Sequence, residues 1–365
     1  AYVKETLAGR FKWVADLDFK SLYPSIVKTF KLSSETLVGN VREYQQVILY
    51  NTAKEFRLDN LKYVYEELLP KYFEMDNFLE SNIDNLTLKD LNNSKLNVSY
   101  YSLYKDNNYS SEFNSISEFN QWLRDNNFVM LSNGVIVDQN KDDAIIAKVI
   151  ADIMDSREKY KKLMYDYLAK GNEEMHNVYN VYQTAVKVIN NSVYGVTANE
   201  GFRLFNIDIS EGITTTGQTL IRASTYVVNK FLNELASTKD VDYVITNDTD
   251  SIIFTLQNVV NYLIETRDAE ILKEIASYAV QCMNIVNESV YSLAKNIFNK
   301  SKINKSNNYL TIKTEWLANA GIFVAKKAYA IHMVFKEGVP YEKLKSVGIS
   351  LKRSGTPKAM KPFLE

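Results

Sequence analysis

Aspartates stand at two places where the chain predicts the end of a strand. Asp16 and Asp18 finish a stretch of alternating apolar and polar residues, and Asp248 and Asp250 lie between two β-branched runs. Carboxylates from two strand ends can hold a pair of magnesium ions through oxygen. An isolated Asp-Thr-Asp is more often an exposed turn with its own hydrogen bonds, and the second acid pair weakens that alternative. For Asp16 we favour a hydrated strand residue or a charge behind the metal ligands.

Basic and amide side chains, whose charge is complementary to that of the aspartates, recur at helical spacing. Arg157 and Lys161 are four residues apart, as are Lys187 and Asn191, and Tyr194 follows Lys187 by seven. Each set therefore shares one face of a helix, and the two faces could clamp a triphosphate. Taken singly, each cation is more often a solvated residue or half of an i,i+4 ion pair.

The composition excludes several classes of protein. Hydrophobic residues make up 46% and charged residues 24% of the 365, as in ordinary globular domains. Cys282 is the one cysteine, and with only His176 and His332 beside it no zinc or iron–sulfur ligand set exists. We find no apolar run of membrane-spanning length and no signal peptide, which predicts an intracellular, cytoplasmic protein.

Charge is unevenly distributed although the net charge is −1. Residues 321–365 contain nine Lys/Arg against three acids, whereas residues 51–130 contain eight Lys/Arg against thirteen acids. The first segment is suited to a polyanion, with a solvated charged face as the ordinary alternative.

The pattern of the elements predicts an α+β fold with an antiparallel sheet and a projecting helical hairpin. Strands are predicted at 241–245 and 252–256 around the acids, at 309–314 and at 322–335, after an extended stretch ending at Asp18 with Ser25 capping the next helix. The other predicted elements are short helical patches at 47–56 and 61–73, a return to sheet at 130–137, and helices at 142–169, 173–194, 210–235 and 269–298.

Three ordered motifs carry a resemblance to a known family. Asp18-Phe-Lys-Ser-Leu-Tyr-Pro-Ser25 resembles motif A of the family B DNA polymerases, Lys187-Val-Ile-Asn-Asn-Ser-Val-Tyr-Gly195 resembles motif B, and Asp248-Thr-Asp-Ser251 resembles motif C. Lys326-Lys-Ala-Tyr329 is similar to the Lys-Lys-Arg-Tyr element of the family, and Ser354-Gly-Thr-Pro-Lys358 resembles the palm-to-thumb junction of tailed-phage replicative polymerases. The likeness covers most of the chain except about residues 44–125.

The resemblance implies a DNA-templated DNA polymerase that extends a primer 3′ end with two magnesium ions during phage DNA replication. It implies catalytic roles for Asp18, Asp248, Asp250 and Lys187, with metal bound by the three aspartates and the Phe19 carbonyl. The implied nucleotide-binding residues are Ser21, Leu22, Tyr23, Arg157, Lys161, Lys187, Asn191, Tyr194 and Gly195. The implied DNA-binding residues are Lys326, Lys327, Tyr329, Lys352, Arg353 and Lys358.

The same resemblance divides the chain into five segments. They are a palm segment with motif A (1–43), an inserted subdomain (44–129), a helical-hairpin fingers subdomain (130–199), a second palm segment (200–355) and the start of a thumb (356–365). We expect a fragment without exonuclease and thumb, because no exonuclease motif precedes motif A. Asp268-Ala-Glu270 has the letters of one but lies after motif C, so it is interpreted as surface.

The implied partners are primer-template DNA, deoxynucleoside triphosphates and a sliding clamp or other replication proteins that would bind through missing parts of the protein. The implied location is the cytoplasm of an infected host, and no membrane is an implied partner.

Two departures from the family pattern stand out. Asn247 replaces a common glycine, where asparagine also tolerates left-handed backbone, and Ala328 replaces an arginine. The rival interpretations are a catalytically silent polymerase relic that binds primer-template as a scaffold and an RNA-synthesising palm enzyme.

Overall fold

The computed structural model of the chain describes residues 2–72, 75–101, 110–260, 269–304 and 306–349. In chain order its elements are β1 Gly9–Phe19, α1 Leu22–Phe30, β2 Leu37–Val41, α2 Tyr44–Phe56, α3 Leu61–Tyr63, α4 Asn77–Asn82, α5 Leu88–Asn92, β3 Leu96–Tyr100, β4 Ser110–Phe113, α6 Ile116–Asn126, β5 Phe128–Met130, β6 Val135–Asp138, α7 Ile145–Ala169, α8 Glu173–Thr197, α9 Ile207–Leu235, β7 Val244–Asp248, β8 Ser251–Thr255, α10 Ala269–Asn296, β9 Ile312–Ala325, β10 Ala328–Lys336 and β11 Val339–Val347. The mixture of helices and antiparallel strands confirms the α+β class.

Two compact units divide the chain. Unit 1 consists of Ala1–Lys20, Ile221–Val290 and Thr311–Glu365, and unit 2 consists of Ser21–Leu220 and Tyr291–Leu310. The boundaries of the five segments predicted from the sequence differ from those of the units, since segments 1–43 and 200–355 each contain residues of both. The five-segment division stays a prediction. In the described part of the chain, no helix is long and apolar enough to cross a membrane.

Unit 1 is built on a six-stranded antiparallel sheet in the order β11-β10-β9-β1-β8-β7. Strand β1 lies in its interior, paired with β9 on one side and β8 on the other, which explains why the centre of β1 is buried. Val14, Ile253, Trp316 and Phe323 pack together in the core of this sheet. The sheet therefore holds the end of β1 next to the β7–β8 hairpin.

Unit 2 contains a second, five-stranded sheet in the order β4-β3-β2-β6-β5. Strands β3 and β4 belong to the segment interpreted as an insertion, and β3 pairs directly with β2. Gly39 of β2 is needed for this pairing, since a Cβ there would lie 2.3 Å from the carbonyl oxygen of Ser99. The insertion is thus joined to its surroundings through backbone hydrogen bonds.

Helices α7 and α8 form the antiparallel pair that the apolar spacing predicts. Gly171 makes the turn between them with a φ of 69°, and the Asn172 side chain accepts a hydrogen bond from the backbone N–H of Met175 at the start of α8. Rings from the two helices contact each other, with the Tyr167 and Tyr179 centroids 5.5 Å apart at an interplanar angle of 10°. Aromatic stacking therefore supports the hairpin near its turn.

Several local predictions are wrong. Ser25 does not cap α1; the helix begins at Leu22, and Ser25 is buried within it with its N–H bonded to the Ser21 carbonyl. The predicted strands at 309–314 and 322–335 do lie largely in strand, but with other bounds, because β9 is continuous from Ile312 to Ala325 and a turn separates it from β10; β11 was not predicted. Of the predicted helix at 61–73, the structure has α3 and a π-helical turn at Val64–Leu68, and Phe73 lies outside the described residues.

Candidate functional site

Three aspartates of unit 1 lie at the ends of adjacent strands. Asp18 of β1 lies opposite Ser251 of β8, and Ser251 in turn lies opposite Asp248 of β7. The backbone N–H of Phe19 donates to the carbonyl oxygen of Asp250 at 2.8 Å. Strand pairing therefore brings together the acids predicted from the two motifs, although they are 230 residues apart.

The turn that carries Asp248 and Asp250 is held in a strained backbone. Thr249 has a φ of 61°, a region that β-branched residues rarely adopt. Its N–H donates to the carbonyl oxygen of Tyr2 at 3.0 Å, and the Asp250 N–H donates to the Asp248 carbonyl at 2.6 Å. Local strain that the surroundings support is a common feature of functional sites.

Asn247 takes a different role from the one expected at this position. The left-handed residue of the turn is Thr249, and Asn247 is fully buried. Its Nδ2 donates to Thr225 Oγ1 at 3.1 Å and to the Ser251 carbonyl at 3.2 Å. The expectation that asparagine serves here through its tolerance of left-handed backbone is therefore wrong; its amide joins α9 to the hairpin.

Asp16 is buried, with 5% of its surface exposed, so the hydrated strand residue expected from the sequence is wrong. Its Oδ1 atom has no hydrogen-bond partner among the described residues. Burial raises the pKa of Asp16 well above its ordinary value, and the charges of Glu315, Asp18 and Asp250 raise it further, against a lowering by Lys345. The end of β1 is therefore a place of concentrated negative charge.

The donor chemistry at these strand ends fits magnesium. All the side chains concerned are carboxylates, and Mg²⁺ prefers oxygen ligands. The charges of Glu315, Asp18 and Asp250 all raise the pKa of Asp16, and a bound cation would offset this repulsion. Within the described ranges, no group of three or more His, Cys, Asp or Glu side chains could hold a metal ion as it stands.

The predicted DNA-binding element lies at the turn between β9 and β10 in unit 1. Lys327 Nζ is 3.1 Å from Asp248 Oδ1, and Lys326 Nζ is 2.8 Å from Glu5 Oε2. The ring of Tyr329 stacks on Phe323 at 5.1 Å between centroids. Lys327 thus links this element to a predicted catalytic acid.

Three further residues predicted to bind DNA, Lys352, Arg353 and Lys358, lie outside the described residues, as does the predicted start of the thumb. The same is true of Asp268, and the side chain of Glu270 is not described.

The predicted triphosphate-binding residues occupy the helix pair of unit 2. Arg157 and Lys161 are half-buried on α7, whereas Lys187 and Asn191 are exposed on α8. Arg157 Nε is buried without a hydrogen-bond partner among the described residues. An unpartnered guanidinium donor costs free energy unless a ligand supplies an acceptor, which favours a binding role.

Tyr23 is held from two sides within unit 2. Its ring lies 4.7 Å from that of Tyr194 between centroids, at an interplanar angle of 52°. On the other side lies Gly217 of α9, where a Cβ would come within 3.1 Å of Tyr23 Cε1. Motif A and motif B are therefore in contact through aromatic rings.

The other predicted nucleotide-binding residues lie beside these two tyrosines in the chain. Ser21, with a φ of 51°, and the buried Leu22 precede Tyr23, and Gly195 is exposed one residue after Tyr194.

Sequence reasoning missed Gly217 and the buried state of Asp16. A glycine inside a helix costs up to about 1 kcal/mol relative to alanine, so its presence in the middle of α9 is the signal that could have marked a close contact. The acids lie in unit 1, and the residues predicted to bind triphosphate lie in unit 2.

Comparison with known proteins gives three matches. A family model described as DNA polymerase family B matches residues 94–363. The DNA-directed DNA polymerase of Escherichia phage RB69 is 24% identical over 398 aligned residues, which cover 100% of this chain and 39% of the relative. The DNA-directed DNA polymerase of Enterobacteria phage T4 is 21% identical over 391 aligned residues, which cover 100% of this chain and 40% of the relative. The chain therefore spans about two fifths of the length of these relatives.

Proposed function

Because the chain belongs to DNA polymerase family B, we propose that it contains the polymerase centre of a phage-type replicative enzyme that adds deoxynucleotides to a primer 3′ end. The membership confirms the resemblance carried by the three motifs. The relatives named above are DNA-directed DNA polymerases of bacteriophages, which supports the same activity here.

The observation that carries the proposal is the placement of the motif A and motif C acids on paired strands. Asp18 and Asp248 lie on opposite sides of Ser251 in the unit 1 sheet, and Asp250 is bonded to the residue after Asp18 through its backbone. Asp18 and Asp250 would bind magnesium, with Asp248 and the Phe19 carbonyl beside them. When bound, the two ions supply charge neutralisation at the reacting phosphate and lower the pKa of the primer hydroxyl.

The remaining steps fall to side chains of unit 2. Arg157, Lys161, Lys187 and Asn191 would bind and orient the triphosphate, so that the α-phosphate is in line with the primer hydroxyl. Lys187 would also donate a proton to the leaving pyrophosphate. No protein nucleophile is needed for this chemistry.

The proposed partners follow from the activity. Lys326, Lys327 and Tyr329 would contact the primer-template duplex, together with Lys352, Arg353 and Lys358. The substrates would be deoxynucleoside triphosphates. From the family resemblance we further propose that the activity belongs to the cytoplasm of an infected host, with a sliding clamp among the candidate partners.

Primer extension in the presence of magnesium tests the proposal. We expect Asp18→Asn and Asp250→Asn each to lower the rate of nucleotide addition by at least about 10²–10³, the effect of removing one electrostatic stabiliser of a transition state. The matched control is Asp240→Asn, which neutralises an exposed aspartate of unit 1 and should leave the rate unchanged.

Two outcomes would contradict the proposal. A near-normal rate of nucleotide addition by Asp18→Asn would show that the aspartate is not a catalytic residue. Retained primer-template binding by the unaltered chain, with no extension at any magnesium concentration, would favour the silent scaffold instead.

A further inference from the structure

Unit 2 contains a cavity of about 410 Å³ that none of the predicted polymerase residues lines. It lies where the end of α1, the segment after β6, the first turns of α7 and the chain after α10 meet. Six lysines line it against one acid, Asp142, within the described part of the chain. These lysines are Lys28, Lys31, Lys141, Lys148, Lys300 and Lys302. We call this cavity the lysine pocket.

Lys300 is the most unusual residue of the lysine pocket, because only 7% of its surface is exposed. Lysine is rarely buried unless its charge is paired. The Lys300 Nζ donates to Gln139 Oε1 at 2.7 Å, a neutral acceptor. Burial lowers the pKa of Lys300 to about 8, and the charge of Lys31 contributes to the same lowering.

Lys31 is held largely by neutral oxygens as well. Its Nζ donates to the carbonyl oxygens of Gln139 at 3.1 Å and Lys141 at 3.2 Å. The acid it contacts, Asp142 at 3.0 Å, has a side chain that is 92% exposed, and ion pairs in water contribute little. The ammonium groups are thus fixed in position with their charge poorly compensated.

Other walls of the lysine pocket add room and positive potential. Ala144, Ala147 and Ala151 line it from α7, and their small side chains leave space. Ala144 is the N-terminal cap of that 25-residue helix, whose amide end carries a partial positive charge. Tyr309 closes another side, with Lys28 Nζ 4.1 Å from its ring centroid.

A second cavity of unit 2, of about 430 Å³, shows the contrast. There the buried amides of Asn51, Asn120 and Asn299 bond to one another, and Arg124 donates to Asn299 Oδ1 at 3.2 Å. The buried amides of that cavity therefore have their hydrogen-bond partners within the protein.

We propose that the lysine pocket is a second anion site that binds an oligophosphate chain, either free or as part of a nucleoside triphosphate. Its volume falls in the range of ligand pockets, about 300–1,000 Å³, and several lysines converge as they do around phosphate groups. A bound oligophosphate would supply a counter-charge to Lys300, whose Nζ donates to a neutral oxygen, and would add to the exposed Asp142 at Lys31. The proposal is independent of the polymerase activity.

Isothermal titration with inorganic tripolyphosphate, in EDTA and without divalent metal, tests the proposal. The Arg157→Gln/Lys187→Gln background removes two of the three cations proposed to bind triphosphate in the polymerase site, so binding that persists there and weakens on replacement of pocket lysines reports the lysine pocket. We expect about one equivalent to bind in that background. Adding Lys148→Gln and Lys302→Gln should weaken it about tenfold or more, because each charge-assisted bond contributes over 1 kcal/mol and 1.4 kcal/mol is a factor of ten.

The controls separate this site from general charge effects. Lys148 and Lys302 are exposed, so their replacement should not unfold the protein, and Lys89→Gln removes an equally exposed lysine elsewhere in unit 2 and should leave the affinity unchanged. Separate titrations with dATP and with tripolyphosphate, compared by their affinities, show whether the lysine pocket prefers a nucleotide or a free oligophosphate.

Three results would overturn the proposal. The first is no binding of tripolyphosphate in the Arg157→Gln/Lys187→Gln background. The second is that Lys89→Gln weakens binding as much as Lys148→Gln and Lys302→Gln do. The third is that the pocket binds single-stranded oligonucleotide but neither tripolyphosphate nor dATP. The last would make the lysine pocket part of a nucleic-acid surface.

Discussion

Tyr23 shows how a single side chain in unit 2 is positioned by two others. Tyr194 contacts one side of the ring, and the missing Cβ of Gly217 makes room on the other. If the deoxyribose of the incoming nucleotide lies against this ring, as the motif A resemblance implies, a 2′-hydroxyl would meet an aromatic face in place of water. Discrimination against ribonucleotides would then be steric and would involve desolvation.

We therefore expect Tyr23→Ala to raise the ratio of ribonucleotide to deoxyribonucleotide incorporation by about tenfold or more, equivalent to about 1.4 kcal/mol of discrimination. Tyr23→Phe keeps the ring and is the matched control. Steady-state incorporation of matched ribo- and deoxyribonucleotides measures the ratio. An unchanged ratio, with both activities lowered together, would instead indicate a packing residue whose loss costs about 3–5 kcal/mol.

Asp16 and Lys300 mark what the sequence could not show at the scale of the residue. Asp16 looks like a solvent-facing residue of an alternating strand, and Lys300 like an ordinary surface lysine. Both are buried because of partners distant in sequence: β8 and β9 cover Asp16, and Gln139 contacts Lys300. Local patterns contain no information about such contacts.

At the scale of elements, the segment after α10 carries the buried Lys300, whose lowered pKa makes the stability of the fold depend on pH. Because the Lys300 pKa is about 8 in the folded protein against an ordinary 10.5, the unfolded chain binds more protons between these pH values. Stability contributed by this site therefore rises as the pH increases from 8 to 10.5, and a penalty of up to about 3 kcal/mol applies below pH 8.

This predicts that the difference in unfolding free energy between the wild type and Lys300→Gln shifts in favour of the wild type on going from pH 7 to pH 10. Denaturant unfolding at the two pH values measures it, and comparing the two proteins cancels the titration of the tyrosines and Cys282. Lys89→Gln serves as the exposed control. A pH-independent difference would contradict the predicted burial of the charge.

Elements with a strong periodic pattern could be predicted from the sequence, and weakly patterned ones could not. Helices α7 and α8 and the β7–β8 hairpin were predicted because their apolar residues follow the spacing of a helix or occur as β-branched runs. Strands β3 and β4, rich in Ser and Asn, have little intrinsic strand preference. They exist because β2 offers a free edge for pairing, which is a tertiary effect.

At the scale of the whole molecule, the charge distribution governs the proposed encounter with DNA. The chain is nearly neutral, yet residues 321–365 contain nine Lys/Arg against three acids. A basic segment of this kind neutralises phosphates and releases counterions when it binds a duplex.

We expect the logarithm of primer-template affinity to fall linearly with the logarithm of salt concentration, with a slope of about −3 or steeper. Lys326→Gln/Lys327→Gln should make the slope shallower by about 2, whereas Lys239→Gln, an exposed lysine of unit 1, should not change it. Fluorescence anisotropy with a labelled primer-template at several salt concentrations measures the slope. Salt-independent affinity would remove the basic segment from the interface.

The pairing of β3 with β2 has a consequence for how this chain can be altered. A segment attached only at its two ends can be exchanged between related proteins like a cassette. Here excision of the predicted inserted subdomain, residues 44–129, would leave the backbone amides of β2 exposed along one edge, and such edges recruit strands from other molecules. Any engineered derivative without this segment would therefore need a different cover for the open edge of β2.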